Sequence, residues 1–167
     1  GGWNTHVGYR PQVGRSGKGF VSALILPVGN AADSGQLVDV VMEHWERSGV
    51  LPGVIGTDDG YSNKKAREDL LEAGVRVMSI SGAKGKKITP TEEWNRPDYR
   101  AARANRSAVE SLMFTLKDGY GFGQLHRREN ENVRAELTEK ILAYNISQII
   151  RVRERRARER QERSIAV

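Results

Sequence analysis

Along the chain, apolar and polar positions fall into short blocks whose repeat alternates between the two-residue period of strands and the 3.6-residue period of helices. Trp3 to Arg10 and Gly19 to Val28 read as two strands joined by the polar stretch Pro11 to Lys18, which predicts a hairpin. After the turn-like Gly29-Asn30-Ala31-Ala32-Asp33, the residues Leu37, Val40, Val41 and Trp45 recur at helical spacing, with Gly49 placed to stop the helix. Val54-Ile55 then opens a short strand that ends at Thr57-Asp58-Asp59-Gly60. A helix from about Ser62 to Glu72, stopped by Gly74, and a strand from Val75 to Ile80 complete a strand–helix–strand unit. Such a unit closes a parallel pair through a right-handed crossover, so the predicted class is α/β, a mixed sheet flanked by helices. Ser81 to Asp98, polar and rich in Gly and Lys, reads as a long exposed loop. A helix should follow from Asp98 to Leu116, its apolar face made by Val109, Leu112, Met113 and Leu116. The last predicted helix begins near Asn130, passes through Val133, Leu137, Ile141 and Tyr144, and grades beyond Ile150 into the charged run Arg151 to Arg163. The expected organisation is a folded domain over residues 1–150 and a long charged C-terminal helix whose tail covers 151–167.

Composition narrows the function without naming it. A length of 167 residues suits one domain with a buried core. The absence of cysteine excludes disulfides, zinc ribbons and thiol chemistry. No apolar run approaches the ~20 residues of a membrane span and no signal-peptide pattern is present, so the expectation is a soluble cytoplasmic protein with no membrane partner. A net charge of +6 favours a polyanion, nucleic acid first. The opening Gly1-Gly2-Trp3 reads as the interruption of a longer chain.

The candidate chemistry is carboxylate chemistry. Asp58 and Asp59 stand at the carboxyl end of a predicted parallel strand, where open α/β sheets place ligands, although Asp-Gly is also ordinary turn chemistry. Glu110 shares a helical stripe with Arg103, Arg106 and Lys117, the pattern of a solvated charged face. Taken together, carboxylates from separate elements suit hard Mg²⁺ or Mn²⁺, two such ions lying roughly 3.5 to 4 Å apart in phosphodiester chemistry. The flanking arginines and lysine would then meet phosphates, and the loop residues Lys84, Lys86 and Lys87 are further DNA-binding candidates. Gly14 to Gly19 lacks the spacing of a phosphate loop, the three histidines lack ligand spacing, and no nucleophile elbow is present.

Four ordered stretches, Gly29-Asn30-Ala31-Ala32-Asp33, Gly56-Thr57-Asp58-Asp59-Gly60-Tyr61, Asn105-Arg106-Ser107-Ala108-Val109-Glu110 and Ile141-Leu142-Ala143-Tyr144-Asn145-Ile146, together resemble the DDE domain of bacterial insertion-sequence transposases, broadly of the IS5 or IS1182 kind. The resemblance implies an RNase H-like fold, Mg²⁺ or Mn²⁺ as cofactor, and DNA, both transposon ends and target, as partner. It also implies a homo-oligomeric active complex. Asp58 matches the second catalytic and metal-holding aspartate, Glu110 the catalytic glutamate, and Arg106 the arginine of its motif. The implied first aspartate should lie upstream of the hairpin, and no residue fills that place; Asp33 follows a later strand and Asp39 lies inside a helix. The chain therefore reads as an N-terminally truncated DNA strand-transfer enzyme, inactive as it stands. The alternative is a non-catalytic nucleic-acid-binding or oligomerising remnant.

Overall fold

The computed structural model describes residues 9–29 and 32–165 of the chain. Its elements run β1 (Gln12–Arg15), β2 (Val21–Ile25), α1 (Leu37–Ser48), β3 (Val54–Thr57), α2 (Lys64–Glu72), β4 (Val77–Ile80), α3 (Gly82–Ile88), α4 (Thr91–Trp94), α5 (Pro97–Ala104), α6 (Arg106–Gly119) and α7 (Asn130–Ile165). The α/β class and the long charged C-terminal helix are as predicted. The strands are divided, however, between two two-stranded sheets, β1-β2 and β3-β4, where one mixed sheet was expected.

Contacts divide the chain into two compact units. The first comprises residues up to Gly14 and Ser22–Ser111, the second Arg15–Val21 with Leu112 onward. In the first unit β3 and β4 pair in parallel, Val54 opposite Val77 through Thr57 opposite Ile80. All four β4 residues are buried, as expected of a strand covered on both faces. Met78 and Ile80 pack with Leu37, Val41, Ala66 and Leu70 of α1 and α2, whereas Val77 packs with Tyr99 and Ala102 of α5. Helix α5 approaches so closely that a Cβ on Gly56 would collide with the carbonyl of Ala102, and only glycine fits there. The Tyr99 hydroxyl, fully buried, donates to the Ile80 carbonyl at 3.2 Å, accepts from the Ile80 amide at 3.1 Å, and lies 3.0 Å from Thr89 Oγ1. Helix α1 ends at Gly49 in the left-handed conformation, φ 70°, the predicted stop. Helix α2 starts where Asn63 Oδ1 accepts from the Ala66 amide at 3.1 Å.

Three local expectations are corrected. The first hairpin strand is Gln12–Arg15, inside the stretch read as a turn, and the actual turn is closed by the Ser16 amide donating to the Phe20 carbonyl at 2.9 Å. Of the predicted strand Trp3 to Arg10, residues 3–8 lie outside the described residues, and Tyr9 and Arg10 are irregular. The expected loop from Ser81 to Asp98 is largely helical, forming α3 and α4. There the ion pair of buried Arg67 with half-buried Glu93 ties α4 to α2, and Asp59 holds the Lys84 and Gly85 amides of α3, so tertiary contacts override a glycine- and lysine-rich composition. The single helix expected from Asp98 to Leu116 is interrupted at Asn105 between α5 and α6.

In the second unit α7 holds the hairpin tip. Asn145 pairs with the backbone of Val21 like a neighbouring strand, accepting from its amide at 2.9 Å and donating to its carbonyl at 2.9 Å. The Tyr144 hydroxyl donates to the Gly19 carbonyl at 2.8 Å. The Glu136 carboxylate accepts from the amides of His126 and Arg127 and from Lys140 Nζ at 2.7 Å. No helix among the described residues is long and apolar enough to cross a membrane.

Candidate active site

Asp58 and Asp59 are adjacent in sequence and opposite in use. Asp59 faces back into the fold, where its Oδ1 accepts from the amides of Lys84 and Gly85, both at 2.9 Å, and from Ser62 Oγ at 3.2 Å. The Gly85 amide foremost, then the Ser62 hydroxyl and the Lys84 amide, hold its carboxyl below the ordinary value of 3.8. Asp59 is thus the clamp between the β3 turn and the start of α3. Asp58 is exposed at the carboxyl end of β3, its Oδ1 accepting the Gly60 amide at 2.8 Å, an Asx turn that fixes the backbone and leaves the carboxylate toward solvent.

Asp33, set aside in the sequence because it follows a later strand, is brought beside Asp58. A Cβ at Gly60 would stand 3.0 Å from Asp58 Oδ1 and 3.3 Å from Asp33 Oδ2, so both carboxylates border one point. Asp33 occupies a short 3₁₀ turn, Asp33–Gly35, and accepts from Gln12 Nε2 at 2.9 Å. Gln12 in turn accepts from the Tyr61 hydroxyl. Burial, then the nearby charges of Asp33 and Asp58, push the Tyr61 hydroxyl far above its ordinary pKa, so it stays a hydrogen-bond donor. The polar character of Gln12 within the expected turn, and the aspartate ending the Gly29–Asp33 motif, were the only sequence signals for this cluster.

Glu110 lies on α6, exposed, with Arg106 Nη2 donating to its Oε1 at 2.6 Å. Arg103 does not share that helix; it belongs to α5, and its guanidinium stacks 4.3 Å over the Trp94 ring. Lys117 is exposed in the last turn of α6. Lys84, Lys86 and Lys87 are exposed on α3, so these lysines sit on a helix where a loop was expected. Carboxylate oxygens are the right donors for a hard divalent cation. Among the described residues, however, no group of three or more His, Cys, Asp or Glu is arranged to hold a metal.

The described surface thus carries a strand-end aspartate, Asp58, a carboxylate paired with an arginine, Glu110 with Arg106, and exposed lysines on α3. Residues 2–146 match the family model for the transposase DDE domain, and the chain belongs to that family. No curated protein and no solved structure matches the chain. Membership carries with it DNA cleavage and transfer as the family's activity, and divalent metal ions as its usual cofactor.

Proposed function

We propose that this domain carries part of the phosphodiester-cleaving and strand-transfer centre of a bacterial insertion-sequence transposase of the IS5 or IS1182 kind, with an RNase H-like arrangement over residues 1–150. Asp58 and Glu110 are its catalytic carboxylates and would hold Mg²⁺ or Mn²⁺. The observation that carries the reading is Asp58 itself, an exposed carboxylate fixed by the Gly60 amide at the end of parallel β3, within the stretch matched to the family. Bound there, divalent cations would activate the attacking oxygen and stabilise the leaving one. The chain's own part is positioning: Asp59 fastens α3 so that Lys84, Lys86 and Lys87 present their charges as a group, and Arg106 screens Glu110 until the cation arrives. Arg103, Arg106 and Lys117 take phosphates of transposon-end or target DNA, with no sequence preference of their own. The active complex is homo-oligomeric and works in the cytoplasm with the DNA it cuts.

Two carboxylates hold a divalent cation weakly, so the chain by itself binds DNA and does not cut it. The second reading, a nucleic-acid-binding or oligomerising remnant, is favoured by the lack of a three-donor group among the described residues. Labelled duplex DNA with Mn²⁺ tests both. Binding that weakens steeply with salt, without nicking, is the expected result. Nicking that disappears in Asp58→Ala would mean that a third residue, Asp33 first, completes a working centre. Absence of salt-sensitive binding would overturn the DNA reading altogether.

A further inference from the structure

Helix α7 has two apolar faces, and one of them is bare. Val133, Leu137, Ile141 and Tyr144 are buried. Away from them, Leu142 is 60% exposed, Ile146 51%, Ile149 41% and Ile150 53%. A surface helix needs one apolar stripe to face its own core, and a second contiguous stripe marks a contact with another molecule. The positions that continue this stripe in both directions say what the other molecule is. Toward the N-terminus they are Glu139, Ala135 and Glu131; toward the C-terminus they are Arg153, Ala157 and Arg160, all of them exposed. The spacing Ala135, Glu139, Leu142, Ile146, Ile149, Arg153 alternates fours and threes, the seam of a paired helix.

We propose that α7 pairs antiparallel with α7 of a second copy of this chain, about a two-fold axis at Ile146. Leu142 and Ile150 each lie four residues from Ile146, Glu139 and Arg153 each seven, and Ala135 and Ala157 each eleven. An antiparallel partner therefore meets Leu142 with Ile150, Glu139 with Arg153 and Ala135 with Ala157, and the two-fold makes each match twice. A parallel partner would set Arg153 against Arg153 and Glu139 against Glu139, so charge decides the direction. Small side chains at Ala135 and Ala157 let the helices approach beside the ion pairs. Glu139 now pairs with Arg127 at 2.9 and 3.0 Å, but both side chains are exposed, and so open an exchange at little cost. An apolar centre has no counterpart in a DNA backbone, and the pairing would hold for a chain that binds no DNA at all.

Sedimentation equilibrium of the whole chain should show a monomer–dimer equilibrium. Ile146→Glu should abolish it with unchanged circular dichroism, since that side chain is half exposed. Glu139→Arg should raise the dissociation constant about tenfold, as two lost surface pairs predict, and adding Arg153→Glu should restore it. The chain has no cysteine, which makes orientation readable by oxidation: Leu142→Cys mixed with Ile150→Cys should crosslink, and Leu142→Cys alone should not. A monomer at every soluble concentration, a dimer indifferent to Ile146→Glu, or crosslinking of Leu142→Cys with itself would each overturn the proposal.

Discussion

Strand β4 and the second half of α7 make opposite use of the same chain. Every residue of β4 is buried, its alternate side chains shared between α1 and α2 on one face and α5 on the other. Residues 153–164 of α7 are all exposed, yet equally regular. The strand exists because of what surrounds it. The tail exists because arginine, glutamate and alanine are good helix formers and continue a helix already nucleated by packed turns, with Glu154–Arg158 and Glu159–Arg163 spaced to add a few tenths of a kcal/mol each. Order and stability are therefore separate properties here, and substitutions should tell them apart.

The sharpest break should come at Tyr99, whose ring fills the layer between β4 and α5. Tyr99→Ala should cost about 4 kcal/mol in urea unfolding through the cavity and the three lost hydroxyl partners. Tyr99→Phe, which keeps the ring, should cost about 1 to 2 kcal/mol. Next is the pair of Arg67 and half-buried Glu93, in which Arg67 is 5% exposed and its Nε has no partner among the described residues. Glu93→Ala strands that guanidinium and should cost about 3 kcal/mol. Glu93→Ala combined with Arg67→Met should recover much of the loss, because replacing both partners by apolar groups removes the uncompensated charge.

Acid should act on the second unit through Glu136. The Lys140 ammonium, followed by the Arg127 and His126 amides, lowers its carboxyl from 4.5 to about 2. Because the folded value lies below the unfolded one, the stabilisation is fully present above pH 4.5 and is lost as pH falls toward 2. Thermal melts of the chain and of Glu136→Gln should therefore converge on acidification through that window; parallel curves would deny Glu136 this role. The smallest effect belongs to the tail. Truncation after Ile150, made in the Ile146→Glu monomer so that Arg153 plays no part in pairing, should shift stability by less than ~0.5 kcal/mol and leave the salt dependence of DNA binding unchanged. A slope reduced by about 0.9 for each lost phosphate contact would make the tail a DNA-binding element.

What the sequence made legible follows the same division. Elements decided locally were readable: α1 with its Gly49 stop, the β3–α2–β4 unit, and the charged continuation of α7. Elements decided by distant residues were not. Residues 81 to 98 look like a loop because Gly82, Gly85 and Pro90 are poor helix formers, and nothing local announces that Asp59 will hold the amides of Lys84 and Gly85, or that Arg67 will seek Glu93. Likewise the strand at Gln12–Arg15 is made by its partner β2 and not by its own alternation. At the site, the Thr57–Gly60 stretch drew notice and the family resemblance singled out Asp58, but nothing local announced that Asp59 would serve as the clamp on α3. The aspartate ending the Gly29–Asp33 motif was visible, but its place beside Asp58 was not, since that proximity goes with the Tyr61–Gln12–Asp33 chain of hydrogen bonds.

The claim that Asp58 and Glu110 serve one metal centre can be tested by following backbone amide resonances during a Mn²⁺ titration. The account predicts that the Gly60 and Ser111 amides broaden together at the same metal concentration, and that Asp58→Asn abolishes both effects. Broadening at Gly60 that leaves Ser111 sharp, with Asp33 as the second affected residue, would contradict it and move the centre to the pair Asp33 and Asp58.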